Sequence, residues 1–295
     1  MSRSRKQLFT DRMMRVLLLG AASSSILIVA LIFLFLFREA GPFVLAPGLD
    51  RLFDTQWIPV SFNIERYGLA PLLTGSVLVT VLAMLVTVPT SVLVAIYIAE
   101  IARPYEREFL KPFIEILASI PSVVLGFFGL IVVAPLVKQF FGLSSGLTAL
   151  TGALLLSLMA IPTVISISED ALNSVPHALK NASLALGASH LQTIFRVTLP
   201  AALPGIVAAV MLGIGRVIGE TMAVLMVTGN SAIITLSPLK PVRTMTATIA
   251  AEMGEVPFGS VHYQALFWIG IILLVITFIL NIIAQRVLKK YGMMK

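Results

Sequence analysis

An arginine and a glutamate stand four residues apart inside a stretch otherwise built for lipid, Gly213-Ile214-Gly215-Arg216-Val217-Ile218-Gly219-Glu220-Thr221-Met222. A charged side chain at mid-depth in a bilayer costs at least ~2.5–3.5 kcal/mol on insertion scales, so it requires a counter-charge, water or a ligand. At a spacing of four, Arg216 and Glu220 share one face of a helix. Gly215 and Gly219 form a small-xxx-small pair that lets a second helix come close. The bland reading is an ion pair that neutralises itself at a helix interface. The chemical reading is an anion path, because the guanidinium fork matches the oxygens of a tetrahedral oxyanion and arginine is a poor residue for packing alone. The glycines are no dinucleotide fingerprint, since no βαβ pattern surrounds them.

A second candidate runs from Glu169 to Pro200, between two strongly apolar runs. Ser174 is expected to N-cap a short helix with Pro176 in its first turn. Leu179, Ala182 and Leu186 then share its apolar face. Gly187 suits the position just past a helix end. Ser189 is expected to cap a second short helix, with Leu191, Ile194, Phe195 and Thr198 on its apolar face and Leu199-Pro200 ending it. Helices this short are unstable alone in water and need a surface to pack on. A loop lying on the membrane surface is the plain alternative. Lys180 and Arg196 supply little of the basic charge such a helix carries, so docking onto another protein is the favoured reading.

The elements that must hold these residues are membrane spans. The chain has 295 residues, of which 58% are hydrophobic and 12% charged, too little charge to cover a soluble domain. Six apolar runs, roughly 16–37, 72–99, 110–137, 147–168, 203–228 and 264–286, can each cross a hydrocarbon core of about 30 Å. The first is too long for a signal-peptide core and lacks a cleavage pattern, so it reads as a retained span. With the N-terminus inside, inner segments hold 14 Lys and Arg residues and outer segments six, Arg216 completing the 21. That bias predicts cytoplasmic termini and a cytoplasmic 169–200 segment, and it accounts for the net charge of +7 without nucleic acid. Pro89, Pro112, Pro121, Pro135 and Pro162 fall inside spans, where they favour kinks. With Gly126 and Gly129 they mark either close helix packing or a moving helix. Segment 38–71 is expected to be an irregular outer cap.

Other chemistries find little support. With no cysteine, disulfides and thiolate sites are excluded. His177, His190 and His262 are scattered and no H-E-x-x-H occurs, so no metal site is expected. Gly142-Leu143-Ser144-Ser145-Gly146 has the letters of a nucleophile elbow but sits in a short loop between apolar runs. Glu115 is expected to pair with Lys111 on its own helix. Glu252, Glu255, Lys240 and Arg243 are charges of an outer loop, either simply solvated or facing a partner. No G-x-x-x-x-G-K-[ST] is present, so any use of ATP falls to another chain.

Asn181-Ala182-Ser183, Gly187 and Val197-Thr198-Leu199-Pro200 resemble the cytoplasmic motif of ABC-importer permeases, Glu-Ala-Ala followed by a glycine and by Ile-x-Leu-Pro. Both spacings match, and Asn181 stands where the family has glutamate. Longer strings are more specific. Gly215 to Val224 with Thr228-Gly229-Asn230, Ile120 to Gly129, and Thr248 to Glu255 resemble the C-type, PstC-like permease of the phosphate-specific importer. The resemblance implies an all-α integral membrane protein with the type I ABC importer permease (MetI-like) fold over residues 70–290. A basic tail, first transmembrane helix and outer loop (1–69) precede it. It implies that Asn181, Ala182, Ser183, Ala185, Gly187, Leu199 and Pro200 belong to a coupling segment seated on an ATPase, and that Arg216, Glu220 and Thr221 line a phosphate path. The implied partners are a sister permease, two ATP-binding subunits and an extracytoplasmic phosphate-binding protein. ATP and Mg would sit on the ATPase, with no cofactor on this non-enzymatic chain in the inner (plasma) membrane. The rivals are a secondary anion transporter or channel, an ABC permease for sulfate or molybdate, and a membrane scaffold or enzyme.

Overall fold

The computed structural model describes residues 5–61 and 64–290, with side chains described from Met13 to Arg286. Arg3 and Lys295, used in the charge count, lie outside the described residues, as do the side chains of Arg5, Lys6, Arg12, Lys289 and Lys290. Among the described residues six helical spans are long and apolar enough to cross a membrane: Met13–Leu45, Ala70–Ile101, Ser122–Phe141, Ala149–Asn173, His190–Ile218 and Val261–Arg286.

The elements run in a simple order. Helix α1 (Arg5–Leu45) leads through a short turn and a two-stranded hairpin, β1 (Trp57–Ile58) and β2 (Arg66–Tyr67), to α2 (Ala70–Ile96), which a π-helical turn extends to Ile101. Next come α3 (Pro104–Ser119), α4 (Ser122–Phe128), a π turn, α5 (Ala134–Phe141) and α6 (Ala149–Asn173). An elbow of α7 (His177–Ala185) and α8 (His190–Thr193) follows, and a π turn runs into α9 (Leu199–Ile218). The chain ends with α10 (Met222–Val227), α11 (Met245–Glu252) and α12 (Val261–Lys290). Six crossings put the elbow on one face and the hairpin on the other.

Two expected spans are broken. The third was expected over 110–137, but residues up to Ser119 belong to α3, which buries no side chain and carries Glu106, Arg107, Glu108, Lys111 and Glu115. Pro121 forces the break, because its ring holds the preceding Ile120 in an extended conformation (ψ 127°). The fifth, expected over 203–228, ends at Ile218 and restarts as α10. The segment after α1 is an ordered cap. Trp57 and Tyr67 stand opposite each other in the hairpin and bury against Phe43, Leu72, Met245 and Leu266.

The core centres on α6, packed between α2 and α9. Lipid gives helices no hydrophobic reason to associate, so close approach and side-chain hydrogen bonds must hold them. Ala83, Ala153 and Ala160 supply the close approach, and Ser91 Oγ donates to the Ile161 carbonyl across α2–α6 at 3.3 Å. A Cβ at Gly126 would lie 2.7 Å from Met226 Sδ, and one at Gly129 2.8 Å from a Leu155 methyl. Both glycines therefore serve close packing of α4 and its π turn against α6 and α10.

Candidate functional site

The elbow is fixed by capping at both halves. Ala188 N donates to Ser183 O at 3.2 Å and Gly187 N to Leu184 O at 3.0 Å, with Gly187 at φ +84°. These are the two bonds of a Schellman cap, and glycine meets its left-handed conformation without strain. Ser189 and Gln192 then form a reciprocal capping box at the start of α8. Two expectations are corrected here. Ser174 closes α6, its Oγ donating to Ala171 O at 2.7 Å, and Pro176 itself takes the N-cap position of α7. Leu199-Pro200 does not end the second helix. The chain stays helical over His190–Ile218, passing through a π turn into α9 with Pro200 just after it.

The elbow is two-sided. Thr193, Ile194 and Thr198 are buried against the bundle, so the single apolar face expected for Leu191, Ile194, Phe195 and Thr198 is split between an inner and an outer side. Leu179, Leu184, Leu186, Leu191 and Phe195 remain exposed, Leu186 at 90%. Asn181, Ala182 and Ala185 are exposed too, while Ser183 turns inward to a hydrogen bond with Thr193 at 3.0 Å. Lys180 pairs with Glu100 on the π turn of α2 at 2.6 Å, the two side chains being 15% and 7% exposed. Beside this pair, Arg107 donates to the Ile98 and Ala99 carbonyls at the same end of α2. The expected Lys111–Glu115 pair is not formed. Lys111 reaches Glu169 on α6 at 2.9 Å instead.

Arg216 sits near the middle of the bundle. A Cβ at Gly213, one turn earlier, would touch Val164 (2.6 Å) and Met84 (3.5 Å). Met84 is about 21 Å from the hairpin-face end of α2 at 1.5 Å per residue. The expected single helix face for Arg216 and Glu220 is overturned, because Gly219 caps α9 and Glu220 lies beyond its end. Glu220 Oε1 accepts from Ala223 N at 3.2 Å, where a carboxylate meets the free N–H groups of the first turn of α10. Its carbonyl accepts from Thr246 Oγ1 at 2.7 Å. Thr221 is the N-cap residue of α10, its hydroxyl turned to Gly219 O at 3.3 Å. Arg216 is exposed and has neither ion-pair nor hydrogen-bond partner among the described residues. It borders a cavity of about 320 Å³ between α9 and α12, together with Leu212, Gly215, Thr277 and Asn281. Nothing lies within 4 Å of a Cβ built on Gly215, so this glycine widens the cavity rather than admitting another helix of this chain.

On the hairpin face, Glu252 is a hub that sequence reasoning left undecided. Its carboxylate pairs with Arg243, accepts from Trp57 Nε1 at 3.1 Å and meets His262 Nε2 at 2.8 Å. Burial pushes its pKa up, but the His262 hydrogen bond, the charges of Arg243 and His262 and the Trp57 donor outweigh that and hold it below the ordinary carboxylate value. A depressed folded-state pKa contributes stability above the unfolded value, and that contribution is lost as pH falls through the folded one. Trp57 fluorescence, read in a Trp268→Phe background, is therefore expected to stay flat down to the ordinary carboxylate value and to change only below it. Glu252→Gln should abolish that acid transition; a transition unchanged in Glu252→Gln would show that another group governs it.

Six spans around a small-residue core, a doubly capped elbow on one face and, beside a broken span, an arginine without a partner among the described residues are the features expected of a polytopic permease. Residues 91–292 match the family described as the binding-protein-dependent transport system inner membrane component, and the chain belongs to that family. It is 41% identical over 231 residues to the probable ABC transporter permease protein YqgH of Bacillus subtilis, covering 78% of this chain and 74% of that one. It is 34% identical over 263 residues to the phosphate transport system permease protein PstC of Mesorhizobium japonicum, covering 82% and 79%. Among solved structures it resembles a bacterial alginate ABC transporter (TM-score 0.65, 16% identity, 98% of both chains). It also resembles the MetNI methionine ABC transporter (TM-score 0.57, 20% identity, 76% of this chain and 94% of that one). These establish the type I ABC importer permease fold expected from the resemblance.

Proposed function

We propose that this chain is the permease subunit of an ATP-driven importer and forms half of the path that carries inorganic phosphate into the cell. The observation that carries the reading is Arg216, a mid-bundle cation without a partner among the described residues, in a chain whose relatives include phosphate permeases. A guanidinium left in lipid is unfavourable, so its face belongs against a second permease and a hydrated path. Import of a dianion against an inside-negative potential of 100 mV costs roughly 4.6 kcal/mol, twice the per-charge figure, which gives coupling to ATP a physical reason. Nucleotide and Mg would be held by two ATPase subunits, and a phosphate-binding protein would meet the hairpin face. Both termini and the elbow would be cytoplasmic, with residues 70–290 as the permease unit. Asn181, Ala182, Ser183, Ala185, Gly187, Leu199 and Pro200 would form or support the ATPase contact.

ATP hydrolysis by the reconstituted assembly is expected to rise with phosphate and not with sulfate or molybdate. A rise with sulfate or molybdate alone would reassign the substrate, and transport by this chain without an ATPase would favour a secondary transporter. For the elbow, Cys introduced at exposed Ala185 or Leu186 should crosslink to the ATPase in the assembled complex. Failure at both positions would remove the elbow from that interface.

A further inference from the structure

We propose that the groove between α9 and α12 is this chain's lining of the anion path below Arg216, and that Asn281 is a second anion-binding residue in it; the anion's identity as phosphate rests on the function proposed above. Helix α12 is apolar along Phe267–Ile283 except at Thr277 and Asn281. With Gln285 these stand at successive spacings of four, so they form one stripe about 12 Å long on a single helix face. The upper two, Thr277 and Asn281, border the same cavity as Arg216. Asn281 and Gln285 are exposed in the single chain, and an amide facing hydrocarbon would leave its polar groups unsatisfied.

The hydrogen bonding leaves Asn281 free to act. Thr277 Oγ1 donates to its own helix, at Leu273 and Leu274 carbonyls 2.9 Å away. Asn281 Nδ2 donates to Thr277 O at 3.1 Å. One amide N–H and the amide oxygen remain uncommitted. Such a group can donate to an anion's oxygen or accept from a protonated one. Arg216 would take the charge, Asn281 would hold the same anion one step nearer the elbow face, and Gln285 would lead it toward the exit.

The absence of cysteine makes the test direct. In the assembled complex, Thr277→Cys, Asn281→Cys and Gln285→Cys should each react with a water-soluble methanethiosulfonate. Ile279→Cys and Ile283→Cys, also exposed but on the opposite face at about 100° per residue, should not. At Asn281→Cys the anionic reagent should react at least tenfold faster than the cationic one, and Arg216→Gln should abolish that preference. Asn281→Leu, a change that suits an apolar helix, should raise the KM for uptake several-fold with the complex intact. Equal reactivity on both faces, a preference indifferent to Arg216→Gln, or an unchanged KM would overturn the proposal. If the anion preference holds but phosphate neither slows the labelling nor stimulates the wild-type ATPase, the groove stands and the substrate assignment fails.

Discussion

Arg216→Gln is expected to reduce phosphate uptake by one to two orders of magnitude while leaving the complex assembled and no less stable. The two halves of that outcome have separate causes. Arg216 makes no ion pair or hydrogen bond within the described chain, so its removal breaks no contact within it. A hydrogen bond from a charged group contributes about 1.5–3 kcal/mol, and each ~1.36 kcal/mol is tenfold in rate. Arg216→Lys should fall between, since it keeps the charge but loses the two-pronged geometry. Glu220→Gln is the informative contrast. Its carboxylate serves the α10 N-terminus, so its substitution should lower thermal stability more than Arg216→Gln does. Uptake in cells, normalised to membrane-inserted protein, and melting of the purified complex check both. A larger stability loss at Arg216 than at Glu220 would return the arginine to a structural role.

The sequence displays the spans and hides their interruptions, for physical reasons. Apolar runs follow from what lipid demands of each side chain, so six spans were legible from composition. The breaks at Pro121 and Gly219 are local backbone events, a ring that holds Ile120 extended and a glycine that caps α9, and the apolar runs on either side read as continuous across them. The Arg216–Glu220 pair was misread because a spacing of four means one face only where the helix is continuous. Ser174 was misread because a serine near a helix boundary can close the helix before it as readily as open the one after. Gly187 and Ser189 were legible because their capping geometry is local. Lys111 and Lys180 were not, because their partners Glu169 and Glu100 lie 58 and 80 positions away. The polar spacing at Thr277, Asn281 and Gln285 was present in the sequence as a readable signal, overshadowed by the charged pair in the preceding span.

Lys180→Met is expected to uncouple the complex, with phosphate-stimulated ATP hydrolysis falling on the order of tenfold and thermal stability dropping with it. The Lys180–Glu100 pair is the main charged tie between the elbow and α2, supported by Arg107 on the α2 carbonyls and by the Ser183–Thr193 hydrogen bond. Asn181 is exposed, so the elbow's inward charge is that of Lys180, one residue earlier. Removing one partner of a half-buried pair leaves the other charge uncompensated in a partly desolvated site, which would account for the stability loss. The double variant Lys180→Met/Glu100→Gln separates stability from transmission. With no orphan charge it should regain most of the melting temperature, yet it should remain uncoupled, because no charged tie connects elbow motion to α2. Recovery of both stability and coupling in the double variant would show that the pair only holds the elbow in place and that displacement of the elbow reaches the spans through the π turn into α9.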